Sequence, residues 1–161
     1  MPKKQLNIIA ACSENRVIGR AGKLPWKINE DWNYFLDQTK GGNIIFGRKA
    51  YEEFGHPFPE RQTIVLTRNQ EWKSKDVIVA TSLQEALDRA QELEGEIWIS
   101  GGQHEYEQAM PLADTLYLTI IHTEVEGDAY FPAWDTFFPK TISQNESRND
   151  DFRYTFFVFE K

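Results

Sequence analysis

Hydrophobic and polar positions along the chain alternate between two kinds of pattern. Short apolar runs bounded by polar or glycine-rich residues predict strands in "QLNIIAACS" (5–13), "NIIFG" (43–47), "QTIVLT" (62–67), "DVIVA" (76–80), "EIWIS" (96–100) and "DTLYLTII" (114–121). The last segment, "FRYTFFVFE" (152–160), alternates and is aromatic on both faces, so it reads as a strand well inside a sheet. Helical spacing predicts helices over 29–38, 48–54, 82–93 and from the Gly101-Gly102 turn to Met110. The third is the clearest. Ser82 and Glu85 form a capping box there, and Leu83, Ala86, Leu87, Ala90 and Leu93 make an apolar stripe. Gly55 and Pro57 end the second helix, and 14–27 reads as a loop punctuated by Gly19, Gly22 and Pro25. Strands alternating with helices predict an α/β sandwich with a largely parallel sheet, in which ligands sit at the carboxyl ends of the strands.

Composition narrows this picture. The 161 residues suit one domain spanning 1–161, and 40% hydrophobic content with five tryptophans excludes a disordered chain. No run approaches the length of a membrane span. The start "MPKKQLNIIAACSENR" imitates a lipoprotein leader, but its apolar run from Leu6 to Ala11 is short and interrupted by Asn7, so it reads as a buried first strand. Cys12 is the only cysteine; an intrachain disulfide is excluded and a reducing cytoplasm fits.

The net charge of -7 is unevenly spread. Residues 1–80 carry 13 Lys+Arg against 9 Asp+Glu, and the remainder 5 against 16. A positive first half suits an anionic small ligand, while the acidic total argues against nucleic acid. His56, His104, His122 and Cys12 lack metal-ligand spacing, so no metal is expected.

The stretch "LPWKINEDWNYF" (24–35) places two carboxylates among aromatics. On a helix, Trp32, Phe35 and Leu36 define the buried face, with Glu30 roughly 165° from its centre and Asp31 roughly 95°. Glu30 therefore faces solvent and favours the helix dipole, whereas Asp31 lies at the margin, where it can face a pocket. Geometry alone leaves Asp31 equally open to being a second first-turn acid.

The ensemble decides between them. "IIAACSENRVIGRAGKLPWKINEDWNYF", "NIIFGRKAYEEFGHPFPERQTIVLTR", "WISGGQHEYEQAMPLADTLYLTII" and "EVEGDAYFP" occur in that order and together resemble the dihydrofolate reductase family, in its small bacterial monomeric form. The resemblance runs from Leu6 to the terminal strand. It implies a three-layer α/β sandwich, a mostly parallel mixed sheet of about eight strands flanked by about four helices. It also implies an NADPH-dependent oxidoreductase that reduces 7,8-dihydrofolate to tetrahydrofolate for one-carbon and thymidylate metabolism. Such an enzyme is a cytoplasmic monomer and an antifolate target, with no nucleic-acid or membrane partner.

Carried over residue by residue, the resemblance makes Asp31 the carboxylate that bonds the pterin amino group and ring N–H, two acceptors meeting two donors. Thr119 would orient Asp31, and Trp26 would hold an ordered water beside it. The carbonyls of Ile9 and Ser100 would face the pterin edge, with Ala11, Leu24, Trp32, Phe35, Phe54 and Phe58 around the substrate. Arg61 would grip the α-carboxylate of the glutamate tail, a role for a planar fork. Arg48, Lys49 and Arg68 would meet the cofactor phosphates, Arg48 and Arg68 reading the 2′-phosphate. Gly101-Gly102, joined by a cis peptide, would open a helix whose free N–H groups receive the pyrophosphate, with Gln103, His104, Glu105 and Tyr106 beside it. Ala11, Ile18, Gly19, Gly47, Ala50, Leu66 and Thr67 would complete the cofactor site. Residues 17–24 would form a mobile loop packed by "EVEGD" (124–128).

The chain departs from the family pattern at several places. Ala50 replaces a usual threonine, Ser100 a branched aliphatic and Gln103 a third glycine. Trp32, Phe54 and Phe58 are bulkier than usual and predict a tighter substrate channel. Two other readings use the same residues: a reductase of a riboflavin-pathway pyrimidine on the same fold, which has no need of the Asp31, Phe35 and Arg61 set, and a folate- or nucleotide-binding protein without turnover.

Overall fold

The apolar runs become adjacent strands and the amphipathic stretches between them become crossover helices, because parallel strands buried on both faces need helices to cover them. A computed structural model describes residues 3–20 and 26–161. In chain order the elements are β1 (Leu6–Ser13), β2 (Val17–Gly19), α1 (Asn29–Thr39), β3 (Asn43–Gly47), α2 (Arg48–Phe54), β4 (Gln62–Leu66) and β5 (Val77–Ala80). They continue with α3 (Leu83–Gln91), β6 (Ile97–Ile99), α4 (Gln103–Ala109), β7 (Thr115–Ile121), β8 (Ala129–Tyr130), β9 (Lys140–Arg148) and β10 (Arg153–Glu160).

Eight strands form one sheet in the order β5-β4-β3-β6-β1-β7-β10-β9. The pairs from β5 through β7 are parallel, and β10 runs antiparallel to both β7 and β9. The leader-like start is the strand β1 in the middle of the sheet, with Ile8 and Cys12 buried. Strand β10 lies inside the sheet as its two-faced aromatic pattern requires.

Three elements escaped the pattern. Strand β9, "KTISQNESR", is exposed along nearly all its length and so carries no alternating apolar signal. Strands β2 and β8 form a separate two-stranded ribbon inside what reads as loop. At α3, Ser82 accepts from the Glu85 N–H at 3.1 Å, but the Glu85 carboxylate turns to Thr81, whose hydroxyl and N–H donate to it at 2.7 and 3.2 Å. The reciprocal half of the expected capping box thus falls one residue early, because Thr81 offers two donors. Among the described residues no helix is long and apolar enough to cross a membrane, and no cluster could hold a metal ion.

Candidate active site

A cleft of about 910 Å³ opens at the carboxyl ends of β1, β3 and β6, where the crossover geometry leaves strand ends uncovered. Ile9 and Ala11 reach it from β1, Gly47 from β3, and Ser100 from the residue after β6. Helix α1 supplies one wall and the start of α4 another.

On α1 the two first-turn carboxylates separate. The helix begins after Ile28 with no side-chain cap, so neither acid is a cap. Asp31 lines the cleft, and the Thr119 hydroxyl hydrogen-bonds it. Burial lifts its carboxyl from 3.8 to about 6; the Thr119 bond pulls the other way, and the neighbouring Glu30 charge adds to the rise. Glu30 does not simply face solvent as expected. Its Oε1 accepts from the Ser147 hydroxyl at 2.6 Å and the Tyr154 hydroxyl at 2.7 Å, which hold it below its ordinary range. Trp26 is buried against Ile121, Tyr154 and Phe156, and its indole N–H has no partner among the described residues. That leaves a donor for a water in a polar site.

The expected buried face of α1 is also corrected. Trp32 is 37% exposed and Phe35 half-buried, because this face lines the cleft instead of the core. Trp32 stacks on Phe35 and Phe54, with ring centroids at 5.6 and 5.5 Å. Phe58 is not a cleft residue: at 3% exposure it packs behind Trp32 and Phe35, in the cluster with Ile44, Phe46 and Val65. Arg61 is half-buried, its Nε donating to the Thr39 hydroxyl at 2.9 Å and its terminal nitrogens to the carbonyls of Pro59 and Leu36. Two of its five N–H groups thus hold the end of α1 and a third bonds the loop at Pro59, leaving two for a ligand carboxylate among the described residues.

The other half of the cleft has features that fit an anionic dinucleotide. Gly47 N–H donates to Gly101 O at 2.8 Å, drawing the ends of β3 and β6 together. A Cβ on Gly47 would stand 2.3 Å from Glu105 Oε1, so a side chain there would displace the Glu105 carboxylate. Gly101 has φ +129°, and the Gly101–Gly102 peptide is cis. Arg48 and Lys49 face this half from the start of α2, with Thr67 opposite. Arg48 Nε bonds Glu52 at 2.8 Å, leaving both terminal amino groups uncommitted among the described residues.

One expectation fails here. The Gly102 N–H is not free, since the Glu105 carboxylate accepts it at 2.9 Å. Burial raises the Glu105 carboxyl above its ordinary value. The Tyr106 hydroxyl, pushed far up by burial, stays neutral and donates to Ile9 O at 2.8 Å. Gln103, in place of a third glycine, accepts from the Tyr130 N–H at 2.8 Å and ties α4 to the β2–β8 ribbon. Residues 124–128 pack on the ribbon as expected, with Asp128 N–H on Gly19 O at 3.0 Å.

Comparison with known proteins agrees with this geometry. The sequence profile described as dihydrofolate reductase matches residues 5–161. The chain belongs to the dihydrofolate reductase family. It is 35% identical to dihydrofolate reductase of Staphylococcus haemolyticus, over 98% of this chain and 96% of that one. It is 37% identical to the Bacillus subtilis enzyme, over 97% and 94%. Its fold superposes on dihydrofolate reductase from Enterococcus faecalis complexed with NADP(H) and RAB-propyl with a TM-score of 0.91, at 33% identity over 98% and 96% of the two chains.

Of the site residues expected from this family, Ile18, Gly19, Ala50, His104 and most of the others line the cleft. Thr119 stands behind Asp31, while Leu66 lies in the core at 9% exposure and the exposed Arg68 does not line the cleft. Leu24 and the rest of 21–25 lie outside the described residues. Tyr34, Phe46, Glu52, Glu53 and Asp128 line the cleft without having been expected. Tyr34 and Glu52 could have been found from helical spacing, one turn from Asp31 and Arg48.

Proposed function

We propose that Asp31 and the cleft around it carry out the reaction of this family, the NADPH-dependent reduction of 7,8-dihydrofolate to tetrahydrofolate. The observation that carries the reading is a cleft carboxylate, Asp31, held by the Thr119 hydroxyl at the end of the central strands. The cofactor supplies a hydride to pterin C6. Asp31 offers two acceptor oxygens to the pterin amino group and ring N–H, and Thr119 fixes their direction. With its carboxyl at about 6, Asp31 holds a proton under mildly acid conditions and assists delivery at N5 through solvent; once ionised, its charge favours a protonated ring. Trp26 offers its free indole N–H to that solvent. The aromatic wall of Trp32, Phe35 and Phe54 excludes water from the pterin face, and the two remaining N–H groups of Arg61 receive the glutamate tail. Arg48 and Lys49 take cofactor phosphates, Arg48 the 2′-phosphate that separates NADPH from NADH. The protein acts as a cytoplasmic monomer and takes antifolates in the same cleft.

The test is dihydrofolate-dependent oxidation of NADPH, with Asp31→Asn and NADH alongside. Turnover that falls at least a hundredfold in the variant and is weak with NADH supports the reading. Cofactor binding without turnover refutes it and favours a binding protein.

A further inference from the structure

The sequence reads Glu30 as a solvent-facing acid that favours the helix dipole, but four side chains on one face of the sheet converge on the start of the helix that carries it. Ser147 of β9 and Tyr154 of β10 are cross-strand partners, so their side chains leave the sheet on the same side. Phe156, two residues beyond Tyr154, shares that side and is paired with Thr119 of β7. All four meet the start of α1. Ser147 and Tyr154 hold Glu30 by the two hydroxyl bonds described above, Thr119 holds Asp31, and Tyr34 packs on Phe156 with ring centroids at 4.5 Å. Tyr154 is 1% exposed, a rigid post whose hydroxyl alone emerges to reach the helix.

We propose that Glu30 is a positioning residue for the active site: strapped by Ser147 and Tyr154, it fixes the first turn of α1 so that Asp31 meets Thr119, and it sets a second negative charge beside Asp31. The inference rests on the reading of Asp31 given above. Facing Asp31 are Thr119 from β7, Tyr106 from α4, Tyr154 from β10, and Tyr34 and Glu30 from its own helix. The three tyrosine hydroxyls are all pushed upward and stay neutral through the working pH range, so Glu30 is the charge among these groups. No lysine, arginine or histidine forms an ion pair with either carboxylate among the described residues. The Glu30 charge therefore makes Asp31 keep its proton to higher pH. Reduction consumes a proton, so this extends turnover toward neutral pH.

Glu30→Gln keeps an acceptor oxygen for both hydroxyls and removes the charge; Tyr154→Phe removes a strap and keeps the charge. Two readouts are followed against pH: the single-turnover rate of hydride transfer from NADPH to dihydrofolate, and the carboxyl ¹³C resonance of Asp31 in the ligand-free protein, assigned with Asp31→Asn. Coulomb's law at an effective dielectric of order 40, screened by solvent, gives a shift of about half a pH unit toward acid for Glu30→Gln in both readouts. At pH 8 this is about a threefold slower single turnover. Tyr154→Phe is expected to lower the rate at every pH without the acid shift of Glu30→Gln. An Asp31 midpoint unchanged in Glu30→Gln, with Asp31→Asn still crippled, overturns the role of Glu30 alone. A rate–pH curve unchanged in Asp31→Asn overturns the reading of Asp31, and this inference with it.

Discussion

Replacing Asp31 by Asn should stabilise the folded protein while disabling it, and the gain should grow with pH. In the folded protein burial raises the carboxyl from 3.8 to about 6. A carboxyl raised in this way favours folding fully below its unfolded value, and that contribution is lost as pH rises through the folded one. Linkage over this interval gives a loss of about 1.6 kcal/mol by pH 5 and about 3 kcal/mol by pH 8. Asn carries no charge and loses nothing across the window. Its own fit beside Thr119 adds an offset that is the same at every pH, so the difference between the two proteins isolates the titration of Asp31.

The assay is urea unfolding of both ligand-free proteins at pH 5, 6.5 and 8, followed by the fluorescence of the five tryptophans. The stability difference should widen by about 1.4 kcal/mol between the extremes, a midpoint separation of about 0.7 M at an m-value of about 2 kcal/mol/M. Other acids titrate in both proteins and cancel. A difference constant to within about 0.3 kcal/mol across this range would refute the argument that burial holds the proton on Asp31.

Three further outcomes follow from the site. Glu105→Gln keeps an acceptor for the Gly102 N–H but removes the negative charge beside it, and should tighten NADPH binding by about 1 kcal/mol at pH 7.5, measured by fluorescence quenching. Because burial raises the Glu105 carboxyl, the gain should shrink as pH falls; weaker binding at all pH values would contradict it. Arg61→Lys loses the fork that joins Thr39, Leu36 and Pro59, so it should cost about 1–2 kcal/mol of stability and raise KM for dihydrofolate more than for NADPH in steady-state kinetics. Phe54→Ile, at a cleft residue, should change antifolate affinity in titrations, whereas Phe58→Leu, behind the wall, should mainly lower stability by about 1 kcal/mol in urea unfolding.

Period and punctuation made the sheet legible wherever a strand was buried. The runs at 43–47 and 114–121 correspond to β3 and β7 because apolar side chains are needed on both faces there. Strand β9 was illegible for the opposite reason: at the sheet edge it is held by backbone pairing to β10, which leaves no mark on its side chains. In the site, Asp31, Gly47 and the Gly101-Gly102 turn could be placed from the family resemblance, where spacing alone left Asp31 open. The partners of Glu30 and Glu105 could not. Ser147 and Tyr154 lie 117 and 124 residues away along the chain, and Glu105 turns back on its own helix start toward Gly47. Phe58 and Phe54 have the same chemistry four positions apart, and only packing decides which of them reaches the cleft.

The way α1 is fastened follows from what its apolar face is used for. An amphipathic helix ordinarily stays in place by burying that face, but here Trp32, Phe35 and Asp31 line the cleft. Of its residues only Thr39 is fully buried, while Asp31 is shielded within the cleft. Polar ties replace the missing burial at both ends. Ser147 and Tyr154 grip the first turn through Glu30, and Arg61 grips the last through Leu36 O and Thr39, while Tyr34 rests on Phe156 between them. The helix can therefore turn its hydrophobic side to a ligand without leaving the sheet. The tie at its carboxyl end uses the same guanidinium proposed for the substrate tail, so a ligand carboxylate at Arg61 would bear on the helix that carries Asp31. On that proposal, tail binding and placement of the carboxylate would be linked through a single helix.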